Sequence, residues 1–126
     1  VNRDEYLEKA LRALESARIL LNHGDPEGAV NRAYYSAFDA AHYALLSENI
    51  EYDPAKTRTH NGLITVFSLQ LVKTGLIAKE IGRDLNRLQQ LRQLADYTGE
   101  SIDDASAMTA IESVERIHRA LFGTSY

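Results

Sequence analysis

The sequence contains no cysteine, which rules out a disulfide framework, a thiolate zinc site and a cysteine nucleophile. A chain without thiols suits a reducing compartment, and a cytoplasmic location is the expectation. Long apolar runs are missing as well. A membrane-spanning helix needs about 18 consecutive apolar residues, whereas the runs here are only a few residues long. The charged opening Val1-Asn2-Arg3-Asp4-Glu5 does not read as a signal peptide. The seven glycines are too scattered for a dinucleotide fingerprint or a phosphate loop ending in Gly-Lys-Ser/Thr. There is no His-Glu-x-x-His zinc helix and no Gly-x-Ser-x-Gly elbow.

What is present is the composition of one globular domain spanning residues 1–126, with 44% apolar and 25% charged residues. A chain of that size buries roughly two-thirds of its unfolded surface. The net charge of -4 argues against a protein that coats nucleic acid through its overall field. The charge is uneven, however. Lys73, Lys79, Arg83, Arg87 and Arg92 face only Glu80 and Asp84 between positions 73 and 92, while positions 96–115 hold acidic residues and no basic one. This is either a basic surface beside an acidic one or a set of ordinary solvated helix faces.

Apolar residues recur at helical spacing almost throughout, and strand-like alternation is absent, so the fold expected is all-α. A first helix over about 3–22 carries Leu7, Ala10, Leu11, Leu14, Ala17 and Leu21 on one face and stops at His23-Gly24. Asp25-Pro26 opens a second, running to about Ser47. After Asp53-Pro54, Thr57 or Thr59 caps a third that ends near Lys73-Thr74-Gly75. A fourth spans about 78–97, and a fifth, capped by Ser101 or Asp103, ends at Gly123. Short connections make neighbours antiparallel, which gives an up-and-down bundle of about five helices.

Helix two has a face of small residues (Ala29, Val30, Ala33, Ala37, Ala40, Ala41, Ala44) that lets neighbours approach closely, so it is expected at the centre. About opposite lies a second stripe of Asn31, Tyr35, Phe38 and His42. That stripe reads as a dimer seam or cleft, or as aromatic rings buried in a monomer core with Tyr34, Tyr35 and Tyr43 hydroxyls reaching water. On helix four, Lys79, Arg83 and Arg87 align on one side and suit phosphates. Arg92 falls at the margin of the apolar stripe, where a partly desolvated guanidinium requires an acceptor. Asp96, one turn on, makes a structural pair possible, and a functional arginine is the alternative.

Among the histidines, His23 suits a helix C-terminus, and His60, at a helix start beside Ile64 and Phe67, is expected neutral. His118 reads as a satisfied buried imidazole. Glu115-x-x-His118 and Asp39-x-x-His42 have the spacing of di-iron bundle ligands. Such a site needs two further inward glutamates and a common interior, so neither metal nor cofactor is expected.

Asn31-Arg32-Ala33-Tyr34-Tyr35-Ser36-Ala37-Phe38, Thr59-His60-Asn61-Gly62-Leu63, Phe67, Val72-Lys73-Thr74-Gly75 and Leu91-Arg92-Gln93-Leu94-Ala95-Asp96-Tyr97 together resemble a HEPN domain, closest to the small stand-alone prokaryotic members. The resemblance covers nearly the whole chain. It implies an antiparallel helical bundle, usually a homodimer, often paired as toxin and antitoxin with a minimal nucleotidyltransferase. Many members are metal-independent ribonucleases whose arginine is followed, after four to six residues, by a histidine. Histidine moves the ribose 2′-hydroxyl proton while arginine stabilises the phosphorane. Arg92 matches that arginine, but Tyr97, Thr98 and Gly99 stand where the histidine belongs. A phenol with a pKa of about 10 is a poor base at neutral pH. The resemblance therefore implies nucleotide or RNA binding at Arg92, Asp96 and Tyr97, with Tyr97 a candidate acceptor of a transferred nucleotide. Two other readings stay open: a ribonuclease using Arg92 with His60 or His42 as base, and a purely structural interaction module.

Overall fold

The computed structural model describes residues 2–97 and 101–123, with Tyr97 only by its place in a helix. Four of the five helices start where a short polar side chain satisfies free amides. α1 (Arg3–Asn22) begins with a capping box: Asn2 accepts from the Glu5 amide at 3.0 Å and the Glu5 carboxylate reaches back to the Asn2 amide. It closes at Gly24, whose φ of +85° suits glycine. α2 (Pro26–Ser47) starts with proline in its first turn and Asp25 accepting from Gly28 N at 2.9 Å.

A single 3-10 turn, Pro54–Thr57, precedes α3 (His60–Phe67), which is capped by Thr59. The chain widens into one π turn, Ser68–Val72, before α4 (Lys79–Tyr97). α5 (Asp104–Phe122) is capped by Asp103, which accepts from Ser106 N at 2.7 Å. Thr59 rather than Thr57 caps α3, and Asp103 rather than Ser101 caps α5. No described helix is long and apolar enough to cross a membrane.

The bundle is antiparallel and α2 is its axis, packed against α1, α5, α4 and α3. The alanine face explains this: Ala29, Ala33, Ala37, Ala40, Ala41 and Ala44 are all buried, and a surface without long side chains lets neighbouring backbones close in. Leu14, Leu45, Leu63, Phe67, Leu71, Leu88, Val114 and Ile117 fill the space around it.

A backbone contact sets the position of α3. A Cβ at Gly62 would run into the Lys56 carbonyl of the preceding 3-10 turn, and a carbonyl oxygen cannot swing aside as a side chain would. Gly62→Ala is therefore expected to destabilise the fold by about 2 kcal/mol and to displace His60. Urea unfolding, with the His60 ring signal in NMR as a local probe, checks both effects.

Candidate functional site

α2, α3 and α4 converge on one side of the bundle and bring together Arg92, Tyr34, Tyr35, His60, Asn86 and Asp96. α4 presents Arg92 at the edge of its buried stripe, leaving the side chain 24% exposed. Its guanidinium Cζ lies 4.7 Å from the Tyr34 ring centroid and 5.3 Å from that of Tyr35. This is cation–π contact with two rings on consecutive α2 residues, the environment that suits a weakly hydrated planar cation. Arg92 Nε stands 3.4 Å from Asp96 Oδ2 but off the hydrogen-bond direction, so this buried nitrogen makes no hydrogen bond. A guanidinium held by rings and only loosely paired keeps its forked donors available for a phosphate.

His60, in the first turn of α3, also meets Tyr34, with ring centroids 5.7 Å apart. Its two nitrogens are 3.4 Å from Tyr34 OH and from Asn86 Oδ1. With Asn86 Oδ1 accepting, the neutral ring carries its proton on Nε2, and Nδ1 accepts from the Tyr34 hydroxyl. Burial lowers the His60 pKa, the Asn86 hydrogen bond opposes this, and the Arg92 charge lowers it further. Burial raises the Tyr34 pKa and Arg92 works against it. The outcome is a neutral imidazole and a neutral phenol beside one fixed cation.

Other residues singled out from the sequence lie elsewhere. His42 is 6% exposed, stacked on Tyr6 of α1 with centroids 4.7 Å apart and met edge-on by Phe38. Burial takes its pKa down to about 4. Asn31 is half-buried on α2, whereas Tyr35, also half-buried, stays in the Arg92 cluster, its ring meeting both Arg32 and Arg92. Arg87 pairs with Asp84, which also bonds Arg116 of α5, so it belongs to the α4–α5 side. Lys79 and Arg83 are exposed, and neither shares a contact with the Arg92 cluster among the described residues. The Tyr97 side chain lies outside the described residues, as do Thr98 and Gly99.

The spacing that hinted at metal ligands has other uses. Glu115 bonds Arg18 at 2.8 Å, and His118 is wholly buried with Nε2 2.8 Å from Ser36 Oγ. Ser36 gives its own proton to the Ala10 carbonyl at 2.6 Å, so His118 Nε2 must be the donor. Among the described residues no three His, Asp or Glu side chains gather as a metal site would require. Nothing local in the sequence distinguishes Asn86 from any exposed helix asparagine. The sequence offers Tyr34 as a core ring and as part of the family motif, and its bridging role depends on how three helices cross.

A HEPN domain profile matches residues 4–123. A UPF0332 protein of Thermotoga maritima is 33% identical over 98 residues, which is 78% of this chain and 70% of that protein. The Methanocaldococcus jannaschii protein named "Putative toxin MJ0605" is 35% identical over 119 residues, 91% of this chain and 85% of its own. The UPF0332 protein glr0978 of Gloeobacter violaceus is 33% identical over 95 residues, 75% of this chain and 71% of its own. With an all-helical bundle and a match running almost from end to end, this chain belongs to the HEPN domain family.

Proposed function

We propose that this chain is the toxin-type member of a toxin–antitoxin or related defence pair, and that it binds nucleotide or RNA at a cleft centred on Arg92. The observation that carries this reading is the state of Arg92: held against two tyrosine rings, largely desolvated, with a carboxylate off the hydrogen-bond axis. A phosphate is the acceptor that such a fork lacks. The name of the Methanocaldococcus jannaschii relative supports the toxin part. In this reading the chain works as a homodimer whose two Arg92 clefts face a shared ligand. A minimal nucleotidyltransferase acts as the opposing partner, with Tyr97 as the residue it modifies.

One observation favours a second reading, a metal-independent endoribonuclease. His60 is neutral and shares Tyr34 with Arg92, so a base and a phosphate-binding cation are both in contact with one ring. The Tyr34 hydroxyl would pass its proton to His60 Nδ1 as it takes the ribose 2′-hydroxyl proton, while Arg92 stabilises the phosphorane. His42 does not serve here, because it is buried beneath Tyr6.

Total cellular RNA incubated with purified protein in excess EDTA, beside Arg92→Ala and His60→Asn prepared identically, separates these readings. RNA binding that weakens about tenfold in Arg92→Ala, at an unchanged circular dichroism spectrum, is the expected result. Cleavage by the wild type that is lost in both variants establishes the nuclease. Equal affinity of wild type and Arg92→Ala removes the site assignment, and no affinity at all leaves a structural interaction module.

A further inference from the structure

A groove of about 470 Å³ between α1 and α2 is lined by Lys9, Arg12, Ser16, Arg32, Tyr35 and Asp39. Three cations around one carboxylate is a positive patch on a chain whose net charge is -4. Among the described residues, none of the ion pairs involves Lys9, Arg12, Arg32 or Asp39. The cations are thus not used up in holding the fold together. Asp39 is half-buried, and burial raises its pKa while Lys9 and Arg32 act on it from a distance.

The groove also adjoins the site already described. The Tyr35 ring has Arg32 Cζ 5.6 Å and Arg92 Cζ 5.3 Å from its centroid, so the groove opens where the Arg92 cluster ends. A site for anions alone would not place a carboxylate among its cations, because Asp39 repels phosphate. A ligand that satisfies all four groups carries negative charge for the rim and N–H donors for the carboxylate. Nucleotides have both, and guanine is the base that offers a carboxylate two adjacent donors, N1–H and the N2 amine. A carboxylate with two oxygens accepts such a pair side by side.

We infer that the α1–α2 groove is a nucleotide subsite that takes a guanine nucleotide of single-stranded RNA, Asp39 accepting from the base and Lys9, Arg12 and Arg32 holding adjoining phosphates. This rests on the reading of Arg92 as an RNA-binding residue and extends the bound strand by one subsite beyond Tyr35. The subsite confers sequence preference, which the Arg92 cluster, meeting only phosphate, does not.

The test is fluorescence anisotropy of the full chain with labelled eight-nucleotide RNAs, one all uridine and others carrying a single central guanosine, adenosine or cytidine, across a salt series. Guanosine is expected to tighten binding about tenfold. Asp39→Asn should abolish that preference without weakening binding to the uridine oligomer. The triple variant Lys9→Ala/Arg12→Ala/Arg32→Ala should weaken all four RNAs and flatten the plot of log affinity against log salt by about 2, as expected for three lost contacts to a single strand. RNA binding that falls in Arg92→Ala but is untouched by the groove variants overturns the subsite and keeps the Arg92 reading. Dependence on the groove but not on Arg92 keeps the subsite and overturns the reading it was built on. Equal competition by polyglutamate and by RNA, with no base preference, overturns the nucleotide assignment in favour of an acidic protein segment. Absence of RNA binding by the wild type overturns both.

Discussion

Between pH 6.5 and pH 4 the protein is expected to lose stability steeply, by about 3 kcal/mol for each of two buried histidines. His42 and His118 are both buried, and burial lowers each pKa from 6.5 to about 4. For His118 the nearby Arg18 charge adds to the effect and Ser36 opposes it; for His42 the Thr57 backbone opposes it. In the unfolded chain each ring binds a proton below its ordinary value, whereas the folded chain refuses it until about pH 4. Stability is therefore complete above pH 6.5, falls across the window, and levels off for these two groups below pH 4. Asp39 acts with the opposite sign, since its raised pKa relieves the cost of a half-buried charge as the pH falls.

Small domains are stable by only about 5–15 kcal/mol, so two such histidines are enough to make this one acid-labile. Urea unfolding at intervals from pH 7.5 to 4.5 measures the slope. His42→Phe, a ring of similar size between Tyr6 and Phe38, should remove about half of it and stabilise the protein most at the acid end. A slope identical in wild type and variant would show that His42 is not held neutral.

Arg116→Leu is expected to cost about 3 kcal/mol at neutral pH, well above the cost of removing its partner. Asp84 is only 4% exposed on its side chain and faces Arg116 through Nε at 3.2 Å and a terminal nitrogen at 3.1 Å, with Arg87 more distant at 3.5 Å. Without Arg116, a buried carboxylate keeps one long contact. Without Asp84, both arginines turn outward into water, since Arg116 and Arg87 are 44% and 64% exposed on their side chains. Asp84→Leu should therefore cost about 1 kcal/mol or less, and the double variant should resemble Asp84→Leu rather than Arg116→Leu. Equal costs for the two single variants, measured by denaturant unfolding, would mean that the carboxylate is not desolvated as its burial implies.

Much of the fold was legible along the chain because helix ends are local events. Asp25, Thr59 and Asp103 each accept from an amide three residues on, and Gly24, Gly75 and Gly123 take the positive φ that closes a helix or its following turn. The alanine face of α2 announced a central helix for the same reason, since side-chain size is written in each residue. The Arg92/Asp96 contact was within reach as well, the two lying one turn apart on a single helix. So were the helical class and the family, which depend on periodicity and on motifs in order.

What the tertiary structure alone decided is which groups from different helices meet. No spacing in the sequence predicts that His60 and Arg92 share Tyr34, that Asn86 completes the contact, or that His42 disappears beneath Tyr6. Nor does any local pattern collect Lys9 and Arg12 of α1 with Arg32 and Asp39 of α2 around one groove. The physical reason is distance along the chain. Caps and helical stripes arise from interactions within about one turn, which the local sequence specifies residue by residue. The site is made of contacts between helices whose crossing is set by the packing of the whole core around the alanine face of α2.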